Sequence, residues 1–271
     1  MLFYTHLCLA KLVLQRFRLD YSIIQDSQSE AEYYLGSILP DIRYFANLPR
    51  EQTHPPISEF INLSNSSGNK AFAIGYLTHL LIDKLEIDLA IHALVQSRFK
   101  LLPSKVRSKV TPMLSNALIE FHYLANFPPD FKLSPNGNDL TTKLNIAVHD
   151  IQVIKSHIDE FLKDTSLRNI GRLLARTGLL KNARIQKTLN IAFTLDDHPT
   201  LKKFMLRRIR KAVNFLEATV VNEIQNNKVL LDFVTLIFVA TTKNECWLVC
   251  HTPRSTLQQG FRALTSLFCE W

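Results

Sequence analysis

Glycine is scarce in this chain, with only seven among 271 residues. Low glycine, together with long stretches of Leu, Ile, Ala and Lys, favours a helical protein over a sheet protein. The sequence also lacks a clear internal repeat and a low-complexity tract, which argues against a repeat architecture. At this length the chain can bury a sizeable core, as one large domain or as one domain with an extension.

The sequence contains few cysteines, and its first residues do not match the pattern of a secretory signal. The four cysteines are Cys8 and three late residues, Cys246, Cys250 and Cys269, and this number and placement predict free thiols in a reducing compartment. The late group with His251 matches no zinc pattern strongly. Residues 1–17 are apolar but contain no basic stretch and no small-residue cleavage site, so we expect a cytoplasmic protein, peripheral to membranes at most.

Four helical runs are predicted beyond residue 140, at about 140–163, 166–180, 183–195 and 200–226. They carry much of the formal net charge of +8. The simplest interpretation is a solvated helix face, and the more specific one is a surface for anionic lipid headgroups or nucleic-acid phosphates. Few aromatic residues accompany the cations, which favours lipid over single-stranded nucleic acid. The cations that define this predicted surface are Arg168, Arg172, Arg176, Lys202, Lys203, Arg207 and Arg208.

The first half of the chain is predicted to contain helices separated by one long irregular connection. A first helix is expected over about 5–17, and Ser29 with Glu32 suggests a capping box that opens a helix ending at Pro40. The connection runs from 41 to about 70 and contains three prolines. A third helix is expected over about 69–99, and a fourth, starting near residue 111, carries Glu120 and stops before residue 126.

The last segment, 229–271, begins with a twelve-residue apolar and β-branched run interrupted by Asp232. Twelve residues are too few to span a bilayer. The run is compatible with a core strand, a closing helix or an interfacial anchor. We therefore divide the chain into a metal-binding helical core, 1–135, a basic helical continuation, 136–228, and this apolar tail.

His79 and Asp83 form the most informative pair in the sequence. Residues four apart on a helix point in the same direction, as metal ligands do, and this pair lies in an almost wholly apolar stretch. Burying an unpaired imidazole and an unpaired carboxylate is costly, so the pair requires a partner. A bare His-x3-Asp is weak evidence for a metal site, and its value depends on the motifs around it.

Three earlier motifs supply that context. They are a histidine near the start, His6; a Gly-Ser-x-x-Pro-Asp-Ile stretch that ends in Asp41-Ile; and a Thr-His after an arginine, at His54. With the Gly-Tyr-x-x-His-x-x-x-Asp helix of His79 and Asp83, their order and local context resemble the zinc-dependent phospholipase C family, which is related to the S1/P1 nucleases. The resemblance covers about residues 1–125 and is specific through residue 83.

The resemblance implies an all-α, multi-helix bundle of the zinc-dependent phospholipase C and P1 nuclease type, followed here by a helical and apolar C-terminal extension. It also implies zinc, one to two ions. Asp41, His54, His79 and Asp83 take the positions that surround one zinc in the family, and His6 takes the position that helps to hold a second. A further zinc would need histidines where Glu86 and Asn116 stand, and Glu120 remains there as a carboxylate ligand.

The function implied is hydrolysis of phosphate esters, most of all phospholipids. Asp41 is the expected general base, because a carboxylate beside the reacting water can take its proton. Arg43 and Arg50, close to the ligands in sequence, are candidates to hold the substrate phosphate. Two alternatives are open at this point: a helical binding protein without activity that keeps at most a structural zinc, and a nuclease of the S1/P1 type.

Overall fold

The structure is a computed structural model, and every element in the part of the chain that it describes is helical. The described residues are 3–21, 24, 26–65, 67–85, 115, 117–127, 130–134, 139–176, 178–181 and 183–228. They contain no β-strand. The predicted all-α fold is therefore confirmed for these residues, and the apolar tail lies outside them.

Twelve α-helices follow one another in these ranges. They are α1 (Phe3–Tyr21), α2 (Ser27–Ile38), α3 (Arg43–Ala46), α4 (Arg50–Thr53), α5 (Ile57–Asn65), α6 (Lys70–Lys84), α7 (117–126), α8 (Asp139–Lys143), α9 (Val148–Lys163), α10 (Leu167–Arg176), α11 (Ala183–Asp197) and α12 (Pro199–Gln225). Two short 3₁₀ turns, Leu39–Ile42 and Leu179–Lys181, join α2 to α3 and lead from α10 towards α11.

Two glycines let α2 and α6 cross at very short distance. A Cβ atom added to Gly36 would lie 2.2 Å from the carbonyl oxygen of Phe72, and one added to Gly75 would lie 2.0 Å from that of Tyr33. Glycine is required at both positions, because any side chain would push the two backbones apart. The crossing brings the C-terminal end of α2 against the middle of α6, where the metal-type motif lies.

Buried tyrosines tie the neighbouring helices to this crossing. Tyr33 on α2 donates a hydrogen bond to the carbonyl oxygen of Ala10 on α1 at 2.9 Å, and Tyr76 on α6 donates to that of Thr53 at 2.6 Å. Both side chains are fully buried. A buried hydroxyl group without a hydrogen-bond partner would destabilise the folded protein. These two bonds therefore fix where α1 and α4 lie relative to α2 and α6.

The start of α2 corrects the predicted capping box. Asp26 is the N-cap, and its side chain accepts hydrogen bonds from the backbone N–H groups of Gln28 and Ser29, so the helix begins at Ser27. The Ser29–Glu32 pair therefore lies inside the helix. An aspartate one turn earlier satisfies the free N–H groups equally well, and the local pattern alone did not distinguish the two starts.

Two further expectations about the elements were wrong. The connection 41–70 is largely helical rather than irregular, since α3, α4 and α5 lie within it. The predicted helix 140–163 is interrupted between α8 and α9, where Asn145 adopts a left-handed backbone conformation with φ 54°. Asparagine tolerates this conformation better than most residues, which allows a chain reversal in a polar, helix-like sequence.

The described helices belong to one compact unit, Met1–Val234. None of the helices in the described residues is both long and apolar enough to cross a bilayer. The division of the chain after residue 135 stays a prediction. The predicted extension of the third helix to residue 99 falls mostly on residues 86–114, which lie outside the described residues.

Candidate metal centre

Five of the sequence-predicted ligands come together from four parts of the chain. His6 lies on α1, Asp41 lies in the 3₁₀ turn after α2, His54 directly follows α4, and His79 and Asp83 lie one turn apart on α6. The short α2–α6 crossing places Asp41 beside α6, and the Tyr76–Thr53 hydrogen bond places His54 there. The cluster is thus assembled by the packing of helices rather than by one continuous motif.

Asp83 lies at the centre of the cluster. Its carboxylate oxygens lie 3.7 Å from Nε2 of His6, 3.3 Å from Nε2 of His54 and 4.0 Å from Nε2 of His79. Two donors bound to one tetrahedral zinc at about 2.1 Å lie roughly 3.4 Å apart. These separations are therefore close to those that a shared ion requires.

His79 is held in the orientation and tautomer of a metal ligand. Its Nδ1 lies 2.8 Å from the carbonyl oxygen of Ser37, which can only accept, so Nδ1 carries the proton and donates. The lone pair is then on Nε2, which is buried and has no hydrogen-bond partner among the described residues. A histidine whose second nitrogen donates to a backbone carbonyl is the usual arrangement around a bound metal.

The other histidines repeat this pattern of unsatisfied nitrogens. Nε2 of His54 and Nδ1 of His6 are also buried without a hydrogen-bond partner in the described part of the chain. The ring of His6 stacks on that of His79 at 4.2 Å between centroids. Buried nitrogens without a partner on three adjacent imidazoles destabilise the protein unless a further group binds them. A metal cation that is bound by their lone pairs would remove this cost.

The donor atoms form two overlapping groups. Those of His6, Asp41 and His79 all lie within 4.8 Å of one another, and so do those of His54, His79 and Asp83. His79 has only Nε2 to offer, because Nδ1 donates to Ser37, so it can bind one ion at most. Imidazole and carboxylate donors suit zinc, and the residues present therefore fit a zinc centre.

Burial keeps the histidines in the form that binds metal. It lowers the pKa of His6 well below its usual value, aided by the neighbouring His79, and it lowers the pKa of His79 as well. Burial opposes ionisation of Asp83, but the close approach of the His54 imidazole and the adjacent imidazoles of His79 and His6 outweighs it and holds the pKa of that carboxyl well below its ordinary range. Neutral imidazoles around an ionised carboxylate are the ligand states that zinc needs.

Residues 5–97 match a family model described as zinc dependent phospholipase C. This segment belongs to that family. It contains all five clustered residues, and the predicted membership is confirmed. No curated protein and no solved structure matches the chain. The assignment indicates a phospholipase-like hydrolase with a His/Asp metal site, while the individual ligand roles stay predictions.

The metal site of this zinc-dependent phospholipase C segment has an open edge. The side chain of Asp83 is 25% exposed, and that of Arg50, 52% exposed, lies beside it with Nη2 3.3 Å from Oδ2. Arg43 is nearby in sequence and stacks its guanidinium 4.1 Å from the ring centroid of Tyr44. The two predicted phosphate-binding arginines therefore lie at or next to the rim of the cluster.

Tyr44 is a site residue that sequence reasoning missed. Burial and the neighbouring Asp41 raise the pKa of its phenol, while Arg43 and Arg50 lower it. The side chain is 38% exposed and contacts the Arg43 guanidinium through its hydroxyl as well as its ring. The signal available in the sequence was its position three residues after Asp41, on the helix that follows the aspartate turn.

Glu120 is not part of either donor group. Its carboxylate is 5% exposed and accepts a hydrogen bond of 2.7 Å from the hydroxyl of Thr5, the residue before His6. The structure thus places it near the cluster without bringing it to the shared donor atoms, and its role as a ligand stays a prediction. Asn116 and Glu86, the other positions named for that part of the site, lie outside the described residues.

Other histidines of the described chain have structural surroundings. His122 is buried and packs edge-on against Tyr123. His149 is exposed, whereas His157 stacks on Phe45 at 5.7 Å between ring centroids. Neither His149 nor His157 belongs to a metal-type group among the described residues.

Glu120 makes the stability of the metal-free protein depend on pH. Burial raises its pKa to about 7, so between about pH 4.5 and 7 the folded protein holds a proton that the unfolded chain releases. This contribution to stability is complete at low pH and is lost as the pH rises through 7. We expect the melting temperature of the wild type relative to that of Glu120→Gln to fall by roughly a few degrees between pH 5 and pH 8, because the buried histidines, whose lowered pKa values stabilise the fold as the pH rises, act equally in both proteins.

Thermal unfolding of metal-free protein at both pH values measures the effect. Glu223→Gln is the matched control, because Glu223 is exposed on α12, and its slope should equal that of the wild type. Equal slopes in the Glu120→Gln variant and the wild type would contradict the assignment of a raised pKa to Glu120.

Proposed function

We propose that this protein is a zinc-dependent phosphodiesterase that acts on phospholipids, with a centre of one or two zinc ions. The single observation that carries the proposal is the orientation of His54 and His79. Both turn a buried, unbonded Nε2 towards the carboxylate of Asp83, at 3.3 and 4.0 Å. Three donors converging in this way, next to an open edge, support a metal site that substrate can reach.

The resemblance to the family implies a division of these residues between two ions. Asp41, His54, His79 and Asp83 would hold one zinc, and His6 with the second oxygen of Asp83 would hold another. Bound zinc lowers the pKa of a water molecule and polarises a phosphoryl oxygen, which is the chemistry that phosphate-ester hydrolysis needs. The Ser37 carbonyl keeps His79 in the required tautomer throughout.

The chain's own residues supply the proton transfer. Asp41 lies in the cluster at 9% exposure, with its donor oxygen within 4.8 Å of those of His6 and His79. In the proposed reaction a water oxygen bonds to phosphorus while Asp41 accepts the water proton. The bond between phosphorus and the glycerol oxygen breaks, and the leaving oxygen takes up the proton that Asp41 accepted, which returns Asp41 to its ionised form. The products are a diacylglycerol and a phosphorylated headgroup.

The arginines at the rim match a phosphodiester anion. Arg50 is half-exposed and points its guanidinium at the edge of the cluster, where its positive charge also favours ionised Asp83. Arg43 has a buried Nε without a hydrogen-bond partner among the described residues, and its stacking on Tyr44 holds the guanidinium plane. A planar guanidinium bonds phosphate oxygens in pairs, so these two residues would orient the substrate.

The open edge favours a hydrolase over a protein with a structural zinc. Structural zinc sites are closed by four protein ligands, whereas catalytic sites keep one position for water or substrate. Here the central carboxylate is itself a quarter exposed and faces a half-exposed arginine. The family assignment of residues 5–97 favours a phospholipid substrate over the nucleic acid of the S1/P1 relatives.

The test is hydrolysis by zinc-loaded wild-type protein of three substrates. They are phosphatidylcholine in mixed micelles, single-stranded DNA and a soluble chromogenic phosphodiester. We expect diacylglycerol and phosphocholine from the lipid, loss of this activity after chelation, and its recovery when zinc is added back. Release of nucleotides from DNA without lipid hydrolysis would replace the proposal by a nuclease. A folded protein that binds zinc and cleaves none of the three would identify a structural metal site.

A further inference from the structure

Helix α12 buries one side and exposes the other. At about 100° per residue its buried residues fall within an arc of roughly 100°. These residues are Met205, Ile209, Val213, Leu216, Val220 and Ile224. The opposite arc, centred about 180° away, faces outward over the middle of the 27-residue helix.

The outward arc combines exposed aromatic rings with positive charge. Phe204 and Phe215 are 52% and 40% exposed, and the exposed cations Lys203 and Arg207 lie on the same side of the helix, so that the four residues span an arc of about 120°. The acidic residues of α12, Glu217 and Glu223, lie outside this arc by helical geometry. The face is therefore apolar and cationic together, whereas an ordinary solvated helix face alternates charges of both signs.

Other parts of the predicted basic surface already have anionic partners. Arg176 binds Glu160 with both carboxylate oxygens within 2.9 Å, and Lys202 pairs with Asp196 at 2.6 Å. Lys202 also lies over the ring of Phe121 at 4.1 Å. These two cations contribute less to a docking surface, because their charge is partly neutralised.

We propose that the outer face of α12, defined by Lys203, Phe204, Arg207 and Phe215, docks on an anionic phospholipid bilayer. Cations gain from the negative surface potential of such a membrane, and exposed phenylalanines gain from insertion at the boundary between headgroups and acyl chains. The same two features explain why this face remains apolar at an exposed position. This proposal names the membrane surface to which the proposed phospholipid hydrolase binds, and it rests on that proposed function.

The experiment is sedimentation of the full chain with sucrose-loaded vesicles at 0.1 M salt. Vesicles of phosphatidylcholine alone are compared with vesicles that contain one quarter phosphatidylserine. We expect the wild type to bind the anionic vesicles at least about 10-fold more tightly. Lys203→Glu/Arg207→Glu should weaken this binding at least about 10-fold, and Phe204→Ser/Phe215→Ser should weaken it several-fold at unchanged charge.

Lys132→Glu/Lys163→Glu is the matched control, since it makes the same charge change at exposed positions away from α12. The proposal is overturned if this control weakens binding as much as the α12 reversal, or if wild type binds neither kind of vesicle. It is also overturned if the α12 reversal abolishes binding to a single-stranded oligonucleotide while vesicle binding is unaffected. Melting temperatures establish that each variant is folded.

Hydrolysis of the soluble chromogenic phosphodiester separates this proposal from the proposed activity. The Lys203→Glu/Arg207→Glu variant should keep wild-type turnover of that substrate, because the ion pairs of the cluster in the described part of the chain involve neither Lys203 nor Arg207. Vesicle binding without any hydrolysis by the wild type would overturn the proposed activity and leave the docking surface in place. Hydrolysis by the wild type, with unchanged vesicle binding in both α12 variants, would overturn the docking surface and leave the proposed activity in place.

Discussion

His79→Ala is expected to remove at least one bound zinc ion per chain and to lower phosphodiester hydrolysis by more than about 100-fold. Losing a residue that merely orients a ligand typically costs 10–100-fold in metal affinity or activity, and loss of the ligand itself should cost more. His79 belongs to both donor groups, so the ion that it binds loses a ligand whichever group holds that ion. Zinc per chain and the rate on the soluble chromogenic substrate measure the two effects together.

His149→Ala provides the matched control for this variant, because His149 is exposed and outside every metal-type group of the described residues. It should keep wild-type zinc and turnover. A His79→Ala protein that folds, retains zinc and hydrolyses the substrate at the wild-type rate would contradict the assignment of the centre. Far-ultraviolet circular dichroism establishes that the helices remain formed.

Gly75→Ala is expected to destabilise the protein by about 3 kcal/mol or more. Alanine in a helix interior usually gains about 1 kcal/mol over glycine. Here the new Cβ would lie 2.0 Å from the carbonyl oxygen of Tyr33, a backbone atom that cannot rotate away. The helices α2 and α6 must separate, and a core forced apart in this way loses more than the propensity gain. Urea unfolding measures the difference.

The same separation should weaken the metal centre. Ser37 follows Gly36 on α2, and its carbonyl oxygen accepts the hydrogen bond from His79, one turn after Gly75. A longer crossing distance stretches this bond, so zinc affinity should fall at least about 10-fold even where the variant is folded. Competition with a chromogenic zinc chelator measures this affinity.

Gly68→Ala is the control for both glycine effects. A Cβ at Gly68 meets nothing within 4 Å, so the substitution should leave stability within about 0.5 kcal/mol and zinc affinity unchanged. Equal stability of Gly75→Ala and the wild type would show that α2 and α6 do not cross at this distance in solution.

The elements predicted correctly from the sequence are those governed by local pattern. The helix that carries His79 was predicted to begin at about residue 69, and Asn69 is its N-cap in the structure, whereas the helix ends at Lys84, earlier than the predicted end near 99. The helix 200–226 was predicted within one residue at each end, since Pro199 suits the first turn of a helix. The elements missed, α3 to α5, are too short for a periodic pattern to identify.

The metal cluster was predicted unevenly for the same reason. His79 and Asp83 are one turn apart, so their common direction follows from helix geometry alone. His6, Asp41 and His54 were selected by resemblance to the zinc-dependent phospholipase C family, because no local rule brings residues so distant in sequence together. The structure places all three in the cluster, whereas it places Glu120 against Thr5 instead.

The sequence by itself determined the helical class and the His79–Asp83 pair, because helix formation and residue spacing act over a few residues. Only the tertiary structure decided which nitrogen of His79 is available, since that depends on the Ser37 carbonyl across a glycine crossing. It also decided that Tyr44 lines the rim and that Asp83 is central. Such contacts are set by the packing of whole helices, where each position depends on side chains far apart in the chain.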